Sequence, residues 1–415
     1  MVIDMRAKSL FIIIVLAIIM TGCRKDESSK QNELKEQEKD TITFMVKVMG
    51  DKSTPLDELI KEYNQTSDIK VKIKKVTYDE YQSVLNMKML SDDKPDLFML
   101  DNDWLTTYIE KDWLLPINSD DGEKLNEQYD YVLPLGMSTY KLVYNKDIFK
   151  DVGLDPDKPP KTLEELYEYA VKISKMKIGD SYGFALYLKE KESGFINLLE
   201  DVYKINGLYY YNKDEHQYDF TIYKDWFEEM IKIRRESGTL EYALELKKES
   251  VINQFSEGNI GMMIMSNEDY YWLPSHDMNL GVSKVPISYQ EDVSDDNISI
   301  PGMLIGINST SKHIEAIRDL CMKLTSEEWS IYMLKEGYII PLHHFDAEET
   351  DSLSDLKIPT EFLPHNKVFI YDNNTLYNEN ERIRFDIYNE ILKEERAVED
   401  GLNLITNLLN EMQVE

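Results

Sequence analysis

Apolar and polar positions along the chain fall into two alternating rhythms. TITFMVKV, from Thr41 to Val48, alternates and is rich in β-formers, which predicts a strand. PLDELIKEYNQ then places Leu56, Leu59, Ile60 and Tyr63 on one helical face. IKVKIKKVTY (69–78) alternates strictly and predicts a second strand, YDEYQSVLNMKMLS a helix, and PDLFML (95–100) a buried strand. The rhythm continues with YKLVYNKDIF as a strand running into a turn. A Pro-rich loop leads into a helix that Thr162 and Glu165 sign as a capping box. IGMMIMS (260–266) and GMLIGIN (302–308) predict buried strands. SKHIEAIRDLCMKLTSEEWSIYMLKEG predicts helix with a Gly stop, and Phe385 to Met412 one amphipathic helical stretch. Strand and helix alternate, so the expectation is an α/β chain with mostly parallel sheets wrapped by helices.

The N-terminal pattern is different. The run Leu10 to Met20 is unbroken hydrocarbon, but shorter than the roughly 20 residues a spanning helix needs. Arg6 and Lys8 precede it, and Thr21, Gly22 and Cys23 follow, as in a secretory signal. That order resembles the lipobox of bacterial lipoproteins, with Met20 in place of the usual Leu. The resemblance implies a signal peptide over 1–22 and lipidation of Cys23, which would place the protein at the cell membrane, lipid-anchored on its extracellular face. Residues 24–40, RKDESSKQNELKEQEKD, carry almost nothing apolar, which suits a flexible tether or a helical spacer.

The chain beyond the tether has room for two α/β bodies. A net charge of −31 argues against nucleic acid and against adsorption to anionic lipid. Of the two cysteines, Cys321 sits at helical spacing with Ile317, Leu320 and Leu324 and reads as a buried thiol. The 27 tyrosines supply flat faces for core packing or for ligand stacking.

In parallel sheets ligands bind beyond the carboxyl ends of strands. That rule points to Asp51 and Lys52 after the first strand, and to Asp101, Asp103 and Trp104 after the third. Carboxylates accept hydrogen bonds from hydroxyls and a Trp face covers an apolar ring. The same acids also suit capping of the helix WLTTYIE. Enzyme chemistry is weakly signed. Asp101 and Asp103 have the spacing of a retaining glycosidase pair, but a catalytic acid also needs a partly apolar setting, which one local sequence does not show. His343 and His344 would point to opposite faces of a strand, a poor metal site. The acids of SDDGEKLNEQYD miss the calcium-loop positions, and no GxxxxGK[ST] loop is present. No metal and no cofactor are expected.

Four stretches occur in order: KPDLFMLDNDWLTTYIEKDWLLPI, STYKLVYNKDIFKDVGLDPDKPPKTLEELYEYA, FSEGNIGMMIM, and GMLIGINSTSKHIEAIRDLCMKLTSEEW with GYIIP behind it. Together they resemble the family 1 extracellular solute-binding proteins, the lipoprotein receptors of carbohydrate-type ABC importers, with maltodextrin-binding proteins among the relatives. The resemblance runs from about Thr41 to the end. Its most specific part is YNKDIFKDVGL followed by PPKTLEEL.

The resemblance implies a two-lobe, periplasmic-binding-protein-like fold of type II, with the ligand cleft between lobes joined by hinge strands. It implies crossings near Met137, Met303 and Phe345, putting 41–137 plus 304–345 in one lobe and 138–303 plus 346–415 in the other. It implies a monomeric, non-enzymatic receptor that closes on a sugar or oligosaccharide and docks on an ABC permease. A small polyol or a cationic ligand held by Asp101, Asp103 and Glu268 stays open. So do a solute sensor for a membrane kinase and a surface lipoprotein that has lost its ligand. Carried onto this sequence, the family's ligand loops correspond to Asp51, Lys52, Asp103, Ser138, Thr139, Asn267, Glu268 and Tyr271, with Tyr338 at the cleft mouth. The stacking position after GMMIM holds Glu268, and the aromatics Tyr270, Tyr271 and Trp272 come later.

Overall fold

The computed structural model describes residues 41–49, 53–117, 130–176, 182–185, 195–205, 208–212, 215–237, 246–275, 277–291, 300–341, 356–363 and 380–413. The signal-like segment, the tether, Cys23, Asp51, Lys52, the histidine pair and the predicted third crossing near Phe345 lie outside these residues.

The chain opens with β1 (Thr41–Val48), α1 (Pro55–Thr66), β2 (Lys70–Thr77), α2 (Tyr78–Met89), β3 (Leu97–Leu100), α3 (Asn102–Glu110) and β4 (Val132–Pro134). The two-residue β5 (Met137–Ser138) leads into β6 (Tyr140–Asn145), α4 (Lys146–Asp151), α5 (Leu163–Met176), β7 (Tyr182–Ala185) and α6 (Phe195–Ile205). A small hairpin, β8 (Tyr211–Asn212) and β9 (Gln217–Tyr218), precedes α7 (Lys224–Ser237), α8 (Lys248–Ser256), β10 (Ile260–Ser266) and α9 (Asn267–Tyr271). Then come β11 (Leu280–Ser283), β12 (Ile300–Pro301), β13 (Leu304–Ile307), α10 (Ile314–Leu324), α11 (Glu327–Lys335), α12 (Glu381–Leu392) and α13 (Val398–Met412).

Two sheets result. The first has the order β2-β1-β3-β13-β4 and the second β11-β6-β10-β7. Each backs its own apolar core, so the molecule is a two-lobe α/β protein. Between the sheets lies a short ladder. β5 pairs antiparallel with β12, and Met137 also bridges Ile340, whose carbonyl accepts from the Met137 N–H at 2.7 Å. Gly136 is needed there, because a Cβ would sit 2.1 Å from the Ile339 side chain and 2.7 Å from the Ile340 carbonyl.

The sheets are mixed rather than mostly parallel. β1 pairs parallel with β2 and β3, but β13 runs antiparallel to β3 and β4, and β6 antiparallel to β10 and β11. β13 enters the first sheet straight from the central ladder, without a crossover helix to reverse it, so its direction opposes β3. The C-terminal stretch is two helices rather than one. The polar segment KEERA has no apolar face to continue the helix. Glu394 turns the chain at φ +61° and pairs with Arg234 and Arg235 of α7. α13 then docks on the hairpin, where the Asn410 amide accepts from the Tyr218 N–H at 2.8 Å and donates to its carbonyl at 2.9 Å.

One side chain shapes the crevice end of the first sheet. Tyr81, fully buried on α2, wedges between β1 and β3. Its hydroxyl lies 2.9 Å from the Met45 carbonyl and 3.1 Å from that of Met99, and accepts from the Met99 N–H at 2.9 Å. The phenol replaces ladder bonds, so the two strands separate toward their carboxyl ends without orphaned backbone groups. Cys321 is partly buried on α10, and burial pushes its thiol up to about 12.

Candidate functional site

Where the strands of the first sheet end, charged and aromatic side chains gather. Lys47, near the end of β1, holds Asp101 at 2.5 Å. Asp101 occupies the N-cap position of α3, but its carboxylate makes no capping bond and goes to the lysine instead. Trp104, in the first turn of α3, stacks on Tyr81 with ring centres 6.2 Å apart. The Lys47 ammonium lies 4.7 Å from the Tyr78 ring centre and 5.8 Å from that of Trp104.

The second lobe meets this group from α8, β10 and α9. Ser266 and Asp269 form a capping box that starts α9, the Ser266 hydroxyl accepting from the Asp269 N–H at 3.0 Å and the Asp269 carboxylate from the Ser266 N–H at 3.1 Å. The same carboxylate reaches Lys248 of α8 at 2.5 Å. The Lys248 ammonium lies 5.1 Å from the Tyr78 ring centre, so that ring receives one lysine from each lobe. Burial raises the Tyr78 phenol well above its ordinary pKa, and the adjacent Glu268 carboxylate adds to the rise. The Tyr140 phenol is also raised, first by burial, then by the charges of Asp201, Asp269, Glu268 and Asp101. Acids from both lobes therefore act on one tyrosine.

The residues singled out in the sequence divide into four groups. Asp101, Trp104 and Glu268 stand in this gathering. Asp103 lies in the first turn of α3, and its side chain is outside the described residues. Asp51, Lys52 and Cys23 also fall outside. Thr139 and Asn267 are almost fully buried and bound to each other, the Thr139 N–H donating to the Asn267 amide oxygen at 3.1 Å and the Asn267 N–H to the Thr139 carbonyl at 3.2 Å. They brace the wall of the seam. Ser138 is half-buried in β5, against Gly302.

Tyr338 is not at a surface mouth. It is 1% exposed in the first lobe's core, where Gly337 at φ +76° turns the chain inward after α11. The Tyr271 ring packs edge-on against Tyr338 and against Trp272, both at 5.1 Å, and burial pushes the Tyr271 phenol up to about 12. Trp272 belongs to the first lobe's core, so α9 spans from one lobe to the other. Sequence reasoning missed Lys47, Tyr78, Tyr140, Lys248 and Asp269. The strand-end rule, applied to β2 as it was to β1 and β3, leads to Tyr78. Among the described residues no cluster of three His, Cys, Asp or Glu side chains is placed to hold a metal.

Two α/β lobes joined by a central ladder, with polar and aromatic groups where they meet, are the architecture of a protein that holds a small solute between its halves. The chain belongs to the family of bacterial extracellular solute-binding proteins, which it matches over residues 48–331. Members bind solutes rather than transform them, and this chain is a binding protein, not an enzyme. It is similar to the sn-glycerol-3-phosphate-binding periplasmic protein of Escherichia coli, at 42% identity over 76 residues. That match spans 18% of this chain and only 17% of the relative's length. Among solved structures, an ABC transporter solute-binding protein of Thermotoga lettingae bound with α-D-tagatose superposes with a TM-score of 0.70 at 19% identity, over 89% of this chain and 99% of that one. An ABC substrate-binding protein of Listeria monocytogenes in complex with cycloalternan gives 0.68 at 18% identity, over 90% and 98%. No helix among the described residues is long and apolar enough to cross a membrane.

Proposed function

We propose that this chain is the extracellular, lipid-anchored receptor of an ABC importer. It captures a polyhydroxylated solute, a sugar or oligosaccharide, by hinge closure and presents it to a membrane permease. The observation that carries this reading is the meeting of Lys47, Asp101 and Trp104 from one lobe with Lys248, Glu268 and Asp269 from the other around Tyr78. Carboxylates and ammonium groups are hydrogen-bond partners for hydroxyls, and the Tyr and Trp faces suit the apolar face of a pyranose ring. The likeness to structures holding tagatose, cycloalternan and maltose supports the same solute class.

The division into 41–137 plus 304–345 and 138–303 plus 346–415 follows from this reading, with β5, β12 and the Met137–Ile340 bridge as the hinge. A few residues of changed dihedral suffice for such bending. Cys23 is the proposed anchor, tested by loss of palmitate labelling in Cys23→Ala.

The direct test is thermal unfolding of the full chain in mild detergent against mono- and oligosaccharides, polyols and sn-glycerol 3-phosphate. A ligand at a hundred times its Kd stabilises by about 2.7 kcal/mol, and Asp101→Ala should remove the selective shift. A flat response across the panel would overturn the reading in favour of a fold that no longer binds. A shift with glycerol phosphate alone would move it to a phosphorylated solute.

A further inference from the structure

α1 and α11 pack against each other on the first lobe, and a cavity of about 360 Å³ opens between them. Its floor is Leu59, Trp329 and Tyr332, buried or half-buried, and its rim carries the exposed Glu58, Glu62 and Glu328. None of these residues belongs to the seam between the lobes. The core takes Leu56, Leu59, Ile60 and Tyr63 of α1, which leaves Glu58 and Glu62 one turn apart on the side that meets α11. Like charges at that spacing repel. Lys61 matches Glu58 at 3.0 Å, but Glu62 and Glu328 form no ion pair among the described residues. The cavity therefore holds two unmatched carboxylates over an aromatic floor.

Trp329 adds an independent signal. It is 5% exposed, it lines the cavity, and its indole N–H finds no acceptor among the described residues. A buried Trp N–H ordinarily has a partner, so the occupant has to bring one. The charge pattern calls for a cation, and the floor for a flat one. A guanidinium stacks on Trp and Tyr faces and forks onto carboxylates. The size, near the lower end of the roughly 300–1,000 Å³ of small-ligand pockets, suits one side chain with its own backbone. Free arginine would carry its carboxylate into an acidic rim. An arginine within a peptide chain carries a carbonyl, which is what the Trp329 N–H lacks.

We infer that the groove between α1 and α11 is a docking site for a partner protein, which inserts an arginine of an exposed segment over Trp329 and Tyr332. Its guanidinium meets Glu62 and Glu328, and a backbone carbonyl accepts from the Trp329 indole. This second site goes beyond the solute-receptor reading and does not depend on it.

The experiment follows the five indole N–H signals of the isotope-labelled full chain by NMR in a neutral mild detergent. The Trp329 signal is the one lost in Trp329→Phe. The probe is acetyl-Gly-Arg-Gly-amide, titrated into the millimolar range beside the same peptide with citrulline or lysine in place of arginine, and beside free L-arginine. The arginine peptide should move the Trp329 signal saturably. The citrulline peptide, of the same shape without the charge, should bind at least about tenfold more weakly. The lysine peptide should also bind more weakly, because its ammonium is not flat. Glu62→Gln combined with Glu328→Gln should bring arginine and citrulline within about threefold of each other, with the unfolding midpoint essentially unchanged, since both groups are exposed. A still Trp329 signal, equal binding of the citrulline peptide, or an arginine preference that survives the double variant overturns the inference. Equal binding of the lysine peptide overturns the choice of guanidinium, and tighter binding of free arginine overturns the protein partner in favour of a small cationic solute. The saccharide panel tests the seam separately, so either reading can fail while the other stands.

Discussion

Thr139 and Asn267 stand 128 residues apart in sequence and share two hydrogen bonds, at 3.1 and 3.2 Å, that fasten the start of β6 to the start of α9. Thr139 follows β5, and α9 carries Glu268 and the Tyr271–Trp272 pair that reaches the other lobe. The bond pair therefore couples the central ladder to the seam through one buried contact.

Replacing Asn267 with Ala leaves the Thr139 N–H buried without its acceptor. The expected loss is about 1–3 kcal/mol, read from the urea midpoint. An unchanged midpoint would show that the contact contributes nothing to stability.

A second contact of this kind lies within the second lobe. Arg384 of α12 and Glu200 of α6 are both essentially unexposed, with the guanidinium 3.3 Å from the carboxylate and the Tyr388 hydroxyl donating to it at 3.4 Å. Arg384→Met leaves the buried glutamate without its cation and should cost about 3–5 kcal/mol, whereas changing both residues to Met should cost much less. Denaturant unfolding of the single and double variants distinguishes these cases. Equal losses would mean that the pair is a net source of stability.

Lys141 of β6 predicts a pH effect of definite sign. Burial, with the charge of Lys284 behind it, lowers its pKa from 10.5 to about 8. Below pH 8 it is charged in both states and the full cost of burying the charge is present. Between pH 8 and 10.5 the unfolded chain keeps a proton that the native state has lost, so stability rises with pH. The rise attributable to Lys141 is about 3 kcal/mol. The stability difference between Lys141→Met and the parent, followed from pH 7 to 10, should shrink as pH increases. A constant difference would contradict the buried-charge account.

The Cys321 thiol, pushed up to about 12 by burial, should be nearly inert in the folded protein. In a variant lacking Cys23, a disulfide reagent at pH 8 should react more than about a hundredfold faster after unfolding than before it. Comparable rates would place the thiol in solvent.

These residues also show what a sequence makes legible. β1, from Thr41 to Val48, reads from alternation alone, because a strand with one core-facing side must place apolar groups every second residue. The direction of β13 does not, since GMLIGIN looks the same whichever way it enters a sheet. Asp101 and Trp104 were legible from their place at a strand end. Lys248 was not, because its place in the site comes from its approach to Tyr78 of the other lobe and its ion pair with Asp269, and no local pattern encodes a distance between elements so far apart in the chain. Tyr338 was misplaced for a similar reason. A Gly-Tyr after a helix reads as a surface turn until the Tyr271 ring is seen to close over it.

The position of β13 has a consequence for how the protein is made. β3, whose four residues are all buried, pairs with β1 on one side, but its other partner runs from Leu304 to Ile307. As the chain emerges N-terminus first, the first sheet waits with an apolar edge unpaired until the whole of the second sheet has followed. An open edge of this kind is a site of misassociation for as long as it lasts. Every step that delays β13, from rare codons to a slow secretion channel, should therefore lower yield more than the same delay placed after residue 307.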